Sequence, residues 1–460
     1  MLRRYVGDRA FYRRVLAVAV PIMLQNGITN FVSMLDNLMV GRVGTVEMTG
    51  VAIANQLMFV YQLCLFGAVS GVGIFGAQFY GRGDDKGLRD CFRFKVILCG
   101  VLTAASAAII LLAGRPICSL FLQGEGAAED AAASLRAASD YLAVMLVGLI
   151  PTALVQCYSS TLRETGETLL PMKAGIAAVC INLCFNYILI FGHFGAPRLG
   201  VRGAAIATVI SRFVEAAIVM AWTHLHTERN RFIVGAWRSF RIAPSLVGQM
   251  LVKGAPLMIN EPLWAAGLAV LTQCYSVRGL NVVAAINITQ TFWNLFSVTF
   301  MATGTGIGII IGQLLGAGEG ERAREEDRKL IAFSLFISVV IGAIYAALAP
   351  YIPLLYNTTA DVRELASHLM FIGACFMPVS AFIHASYFTL RSGGKTIITF
   401  FFDSAYVWLV TVPLAFVLSR YTSLDILVLY ACCQAVDIIK CVIGFILVKR
   451  GSWVHTLVKE

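Results

Sequence analysis

The sequence predicts an all-α integral membrane protein with twelve transmembrane helices, arranged as two six-helix bundles related by a parallel internal repeat. Hydrophobic residues make up 58% of the 460-residue chain and charged residues only 13%, too few to cover a soluble particle of this size. Twelve apolar segments are long enough to cross a bilayer. Motifs of the first half recur in the second half. Together these observations exclude a soluble enzyme, a disordered chain and a coiled coil.

Each predicted transmembrane segment is an apolar run of about 20 residues or more, the length at which a helix crosses the hydrocarbon layer. Helices are favoured over barrel strands because the runs are long and do not alternate with polar residues. In chain order the segments are 14–40, 50–80, 92–114, 138–161, 170–192, 201–224, 246–274, 283–314, 330–356, 365–390, 396–419 and 425–448.

The distribution of basic residues orients the predicted helices. Lysine and arginine cluster before the first segment and after even-numbered segments, as in 82–95, 229–241 and 322–329. Since basic loops stay on the cytoplasmic side, both termini are predicted to be cytoplasmic. The same pattern accounts for the net charge of +10 without a nucleic-acid partner. We therefore expect a multi-pass protein of the cell inner (cytoplasmic) membrane, whose first segment is too long for a cleaved signal peptide.

The two halves carry matching motifs in matching order. The glycine-rich stretch 71–83 resembles 306–318, and Pro21 recurs as Pro256 at the same spacing. Six helices per half is an even number, so both halves enter the membrane in the same direction and form a parallel repeat. Such a repeat suits alternating access, in which two bundles rock about a central site. The predicted domains are an N-terminal bundle at 1–224, a cytoplasmic linker at 225–245 and a C-terminal bundle at 246–460.

Several motifs then point to a family. The first segment carries Pro21, then Asp36, then the sequence Val-Gly-Arg-Val-Gly at 40–44. Further motifs are the stretch 71–83, the turn 162–166, the pair Asn182 and Asn186, and the segment 203–208. In order and spacing, the chain resembles the multidrug and toxic compound extrusion (MATE) transporters along nearly its whole length. The resemblance implies a secondary antiporter that exports organic, often cationic, compounds in exchange for Na⁺ or H⁺. We expect no cofactor other than the coupling ion, and a functional monomer.

A cation-coupling site is predicted in the N-terminal bundle. Asp36 has no basic residue at i ± 3 or i ± 4, and a carboxylate inside the membrane can bind Na⁺ or carry a proton. Asn182 and Asn186 share one helix face, and Thr208 adds a hydroxyl from the sixth segment. The resemblance implies that these four residues form the coupling site, with Na⁺ as a possible metal ligand. The alternatives are an Asp36 in outer water and asparagines that only bond neighbouring helices.

Candidate substrate-binding residues lie in the seventh, eighth and tenth segments. Glu261 falls near the membrane middle, beside Asn260 and on nearly the same face as Trp264, an arrangement that suits a lipophilic cation. The resemblance implies an acid in this segment in some MATE branches. Further candidates to line a cavity are Gln290, Trp293, Asn294 and His384. Helix packing is the alternative role for each.

The remaining charged residues inside the spans are interpreted as structural. Arg212 and Glu215 are three residues apart, as are Asp437 and Lys440. In each pair the two opposite charges are therefore predicted to neutralise one another along one helix. Asp403 has no near partner in sequence and keeps an open role.

Two other functions compete with drug export. A lipid-linked saccharide flippase of the same superfamily would need several unpaired Arg or Lys residues inside its cavity, and the spans hold few. A membrane-embedded enzyme would need paired carboxylates or a His/Asp cluster, which the sequence lacks. Position 389 is threonine, so the stretch 393–396 does not complete a phosphate-binding loop, and an ion gradient is the expected energy source.

Overall fold

The computed structural model describes residues 5–41, 43–122 and 128–458, without the side chains at 33, 34, 36–38, 41, 45 and 128. These residues form twelve long helices and no strand, which confirms the predicted fold class. The helices are α1 (Arg9–Gly41), α2 (Thr45–Arg82), α3 (Asp85–Leu120), α4 (Ala128–Glu164), α5 (Leu169–Phe191), α6 (Val201–Leu225), α7 (Pro244–Ser276), α8 (Leu280–Gly316), α9 (Gly320–Leu348), α10 (Ala360–Ser392), α11 (Thr396–Tyr421) and α12 (Ile426–Arg450).

Eleven of these helices are long and apolar enough to cross a membrane, among the described residues. The exception is α7, which carries Lys253, Asn260 and Glu261 together with two internal prolines. Those polar groups lower its mean hydropathy.

The ninth predicted segment was placed too far along the chain. It was predicted to end at residue 356, but α9 ends at Leu348 and a short 3₁₀ turn follows at Ile352–Leu355. The cause is Pro350 and Pro353, because a proline has no N–H and cannot continue the hydrogen-bond ladder.

The chain forms two compact units. The C-terminal unit consists of Met1–Met23, Ala77–Asp84 and Met250–Glu460, and the N-terminal unit consists of Leu24–Gly76 and Asp85–Gln249. In the C-terminal unit α8, α9 and α10 pack on one another, and α10 also contacts α12. In the N-terminal unit α6 packs on α4 and α5, and α3 packs on α4. The predicted division into two six-helix bundles stays a prediction.

The segment between α6 and α7 is packed in the N-terminal unit. Phe232 and Ile233 are buried there in a 3₁₀ turn. Two arginines of α3 hold the segment through its carbonyl groups: Arg89 donates to Phe232, and Arg93 donates to Gly235 and Ala236.

A close helix crossing lies inside the C-terminal unit, where the end of α2 meets the end of α8. A Cβ atom on Gly81 would overlap the backbone carbonyl of Gln313, and one on Gly316 would overlap that of Gln78. Gln78 and Gln313 occupy equivalent places in the two matching stretches, as do Gly81 and Gly316. Each of the two matching stretches therefore contributes a glycine at the same position to this crossing, because glycine alone lets backbones approach this closely.

The chain after α12 packs beside this crossing. The Gln78 side chain donates to the carbonyl of Ser392 at 2.9 Å and accepts from the backbone N–H of Leu457 at 2.7 Å. Trp453 is buried and donates its indole N–H to the carbonyl of Val448. The end of α2 is thus held to both α10 and the C-terminal segment.

Candidate functional site

A buried polar network joins α7, α11 and α12 in the C-terminal unit. Asn260 is 1% exposed, and its Nδ2 atom donates to Oδ2 of Asp403 at 3.0 Å. The Nζ atom of Lys440 donates to Oδ1 of the same aspartate at 2.8 Å. Ser404 Oγ lies 2.7 Å from both the carbonyl and the side-chain oxygen of Asn260. Both carboxylate oxygens of Asp403 are therefore bonded, and a cation neutralises its charge.

The backbone of α7 and α11 is irregular where the residues of this network lie. α11 contains π-helical turns at Phe401–Ala405 and Val407–Thr411, and such wide turns often mark functional sites. In α7, Pro262 has no N–H, so the carbonyl of Met258, four residues earlier, lacks its usual helical donor. The hydroxyl of Ser404 and the indole N–H of Trp408 of α11 donate to two other carbonyls of α7, at Asn260 and Leu263.

Glu261 is next to this network but is not clamped by it. Its Oε1 atom accepts a hydrogen bond from the hydroxyl of Tyr387 at 3.2 Å, and its side chain is partly exposed. In the part of the chain that the structure describes, no basic side chain lies within ion-pair distance of Glu261. Of the two neighbouring acids, Asp403 is held by the ammonium of Lys440, whereas the described polar contact of the Glu261 carboxylate is with the hydroxyl of Tyr387.

The other predicted substrate-binding residues lie elsewhere on the same unit. Gln290 and Asn294 are exposed on α8 and bond each other at 3.1 Å. Trp293 packs towards a core cluster, with its ring 6.2 Å from that of Phe300. His384 contacts the carbonyl of Ser380 and sets its ring edge-on to Phe300. Trp264 is partly buried on α7. The structure brings together Asn260 and Glu261, and the roles of all seven residues stay predictions.

Three of the four predicted cation-coupling residues meet in the N-terminal unit. Asn182 donates to the hydroxyl of Thr208 at 3.2 Å, and Asn186 donates to the side-chain oxygen of Asn182 at 3.1 Å. Both asparagines are buried between α5 and α6. The side chain of Asp36 lies outside the described residues. The four-residue site, and Na⁺ as its occupant, therefore stay predictions.

One of the two predicted ion pairs is present and the other is wrong. Arg212 pairs with Glu215 at 2.7 Å, as its spacing predicts. Lys440 does not pair with Asp437 but with Asp403, 37 residues away on another helix. The spacing rule fails here because Lys440 is buried and faces α11, where a second carboxylate is available.

A further buried ion pair was missed. Lys95 was counted among the loop charges of 82–95, but its side chain is 0% exposed. Its Nζ atom donates to both carboxylate oxygens of Glu164, at 2.6 and 2.7 Å, and to the hydroxyls of Ser160 and Thr161. Gly73 and Gly76 of α2 leave room for this carboxylate, because a Cβ at either position would meet it. No periodicity in the sequence signals the pair, since its partners belong to different helices.

A sequence profile of the MatE family matches residues 21–188 and 256–417, one range in each half of the chain. The probable multidrug resistance protein NorM of Thermotoga maritima is 26% identical over 450 residues, which cover 96% of this chain and 93% of that protein. The probable multidrug resistance protein YoeA of Bacillus subtilis is 25% identical over 421 residues, covering 90% and 89%.

Solved structures agree in fold. A multidrug resistance MATE family transporter in an outward-facing conformation superposes with a TM-score of 0.85 at 18% identity, over 98% of both chains. The Vibrio cholerae MATE transporter VcmN superposes with a TM-score of 0.84 at 19% identity, over 97% of this chain and 98% of that one.

Proposed function

The chain belongs to the MatE family of membrane transporters, and we propose that it is a secondary active multidrug efflux antiporter. It exports organic, often cationic, compounds in exchange for Na⁺ or H⁺ by alternating access. Multidrug resistance relatives that cover nearly the whole chain support the substrate class. The observation that carries the cationic-substrate part is Glu261, an acid of a membrane helix with no described basic side chain within ion-pair distance. Its environment suits reversible binding of a proton or an organic cation.

In this proposal the coupling ion enters from outside and binds at Asp36, with Asn182, Asn186 and Thr208 as further ligands. Binding shifts the bundles and weakens the hold on the substrate, which leaves to the outside. One positive charge moving inwards contributes about 2.3 kcal/mol per 100 mV of membrane potential, so a single coupled cation is a useful driving force. The protein acts as a monomer in the inner membrane, with both termini in the cytoplasm.

The alternative, flipping of a lipid-linked saccharide, is less well supported. Such a protein needs free basic side chains inside the membrane to hold a pyrophosphate. The buried basic side chains of the described spans are Lys95, Lys440 and Arg391: each lysine is bonded to a carboxylate, and the arginine stacks over the ring of Phe388. We therefore favour drug export.

We expect Asp36→Asn to abolish ion-driven efflux while leaving expression unchanged, because asparagine cannot exchange a proton and binds Na⁺ more weakly. The measurement is transport of a fluorescent cationic dye by inside-out vesicles under imposed Na⁺ or H⁺ gradients, which also identifies the ion. Asp130→Asn, at an exposed position near the start of α4, is the matched control. Transport at the wild-type rate by Asp36→Asn would exclude this residue from coupling.

We expect Glu261→Gln to lower transport of cationic substrates at least tenfold and to spare neutral ones. The glutamine retains the hydrogen bond from Tyr387 but loses the charge that attracts a cation. The same vesicles report both substrate classes, and Glu364→Gln, on an exposed face of α10, is the control. An equal loss for neutral and cationic compounds would show that Glu261 does not contact the substrate directly.

A further inference from the structure

The internal repeat allows the partners of matching threonines in the two units to be compared. Thr161 in α4 and Thr389 in α10 head the matching sequences Thr-Leu-Arg. In the N-terminal unit the hydroxyl of Thr161 accepts from Lys95 of α3 at 3.0 Å. In the C-terminal unit the hydroxyl of Thr389 lies 2.6 Å from Oδ1 of Asp327 in α9. The matching threonine hydroxyl thus contacts a base in the first unit and an acid in the second.

The partner of that charge has changed as well. Three residues after Thr161 comes Glu164, which neutralises Lys95, whereas three residues after Thr389 comes Ser392. Ser392 directs its hydroxyl to backbone carbonyls, at Phe388 and Gly308. Beside Thr161 the N-terminal unit therefore buries one cation with one anion. Beside Thr389 the C-terminal unit buries Asp327, and no basic side chain of the described residues lies within ion-pair distance of it.

The carboxyl group of Asp327 is fully buried in the protein. Its side chain is 0% exposed, and its Oδ2 atom has no hydrogen-bond partner among the described residues. An ionised carboxylate left bare in this way costs several kcal/mol, because half of its charge loses hydration without compensation. A neutral carboxyl does not incur that cost.

The hydroxyl of Thr389 is placed to accept from a neutral carboxyl. Its oxygen also lies 3.0 Å from the carbonyl of Ala385, and a hydroxyl has a single hydrogen to donate. When that hydrogen goes to Ala385, the oxygen of Thr389 accepts from a protonated Asp327. When the proton leaves, Thr389 turns its hydrogen towards the carboxylate. The same atoms serve both protonation states.

Charged groups near Asp327 are engaged or face outwards. Arg324, one turn earlier, bonds Glu321, and Arg328 is exposed. Arg391 of α10 stacks over the ring of Phe388 at 5.2 Å. On the same helix as Asp327, Glu326 pairs with Arg14 and Arg322. The neighbouring helix α8 contains no charged residue.

We propose that Asp327 is a proton-binding site of the C-terminal unit, which releases its proton to the cytoplasm and regains one during each transport cycle. The step is a simple acid–base exchange, in which the carboxyl gives its proton to water and becomes a carboxylate. The site deepens the proposed antiport and rests on it, and it makes H⁺ a coupling ion of this unit. Thr389 is the positioning residue that supports both forms.

Infrared difference spectroscopy of the full-length protein in lipid tests protonation directly. We expect the carbonyl band of a protonated carboxyl to disappear on raising the pH, and to be missing in Asp327→Asn. Thr389→Val should move the same band to higher frequency, because a hydrogen bond is lost. Asp361→Asn, an exposed control on α10, should leave the band in place. A spectrum identical in wild type and Asp327→Asn would overturn the proposal.

A transport assay then tests whether Asp327 exchanges its proton during the transport cycle. In proteoliposomes with a pH gradient we expect Asp327→Asn to lose at least nine-tenths of dye efflux while dye binding and thermal stability persist, since asparagine mimics the neutral acid. If the band is lost but pH-driven efflux is unchanged, Asp327 is a structural acid and the exchange role is wrong. The infrared result does not depend on transport, so failure of wild-type protein to export dye would count against the antiport alone.

Discussion

Replacing Glu164 by alanine is expected to destabilise the protein by about 3–5 kcal/mol, the range found when one member of a buried ion pair is removed. The variant leaves the ammonium of Lys95 fully buried with only the hydroxyls of Ser160 and Thr161 for partners. Two hydroxyls do not replace a carboxylate that contacts Nζ with both oxygens. The loss should be measurable as a large fall in the melting temperature of the detergent-purified protein.

Two comparisons make that result specific. The double variant Lys95→Met with Glu164→Gln removes both charges, and we expect it to recover most of the lost stability. Asp140→Ala removes one partner of the exposed pair with Arg202 and should leave the melting temperature unchanged, since surface pairs contribute little. A single Glu164→Ala variant as stable as wild type would mean that Lys95 reaches another partner or loses its proton on burial.

Gly316→Ala is expected to abolish transport and to lower the yield of folded protein. The new Cβ would overlap the backbone carbonyl of Gln78, and a backbone group cannot move aside as a flexible side chain does. Overpacking of this kind costs typically 1–3 kcal/mol and more when backbone has to shift. Gly81→Ala, which would overlap the carbonyl of Gln313 at the equivalent place, should have the same effect.

Alanine at Gly100, in α3, is the matched control, because nothing lies within 4 Å of the position its Cβ would take. A glycine-to-alanine change there should be neutral or slightly stabilising, as helix propensity predicts. Dye efflux from vesicles measures the loss of transport in Gly316→Ala and Gly81→Ala. The monodisperse fraction on size exclusion measures their yield of folded protein. Normal efflux by Gly316→Ala would show that α2 and α8 do not need this close approach.

Part of the candidate site was predictable from sequence. An acid inside a membrane helix is costly, so its rarity made Glu261 a candidate, and its role stays a prediction. Asn182 and Asn186 share a face because they are four residues apart, and the structure places Thr208 beside them as predicted. In both cases the information is local or depends on the composition of a single helix.

The buried ion pairs show where such reasoning ends. Lys440 has a suitable acid three residues away in Asp437, yet it binds Asp403 on another helix. Lys95 falls at the edge of a basic loop, yet it is buried against α4. A spacing rule describes one helix face and carries no information about which neighbour that face meets.

From the sequence alone follow the membrane environment, the helical class, the number of long helices and the duplication, since each depends on hydropathy and on the order of motifs. Only the tertiary structure decided which charges neutralise one another, and which acid, Glu261 or Asp403, is left without a described cation. The reason is physical: the energy of a buried charge depends on atoms within a few ångströms, and those atoms come from helices far apart in the chain.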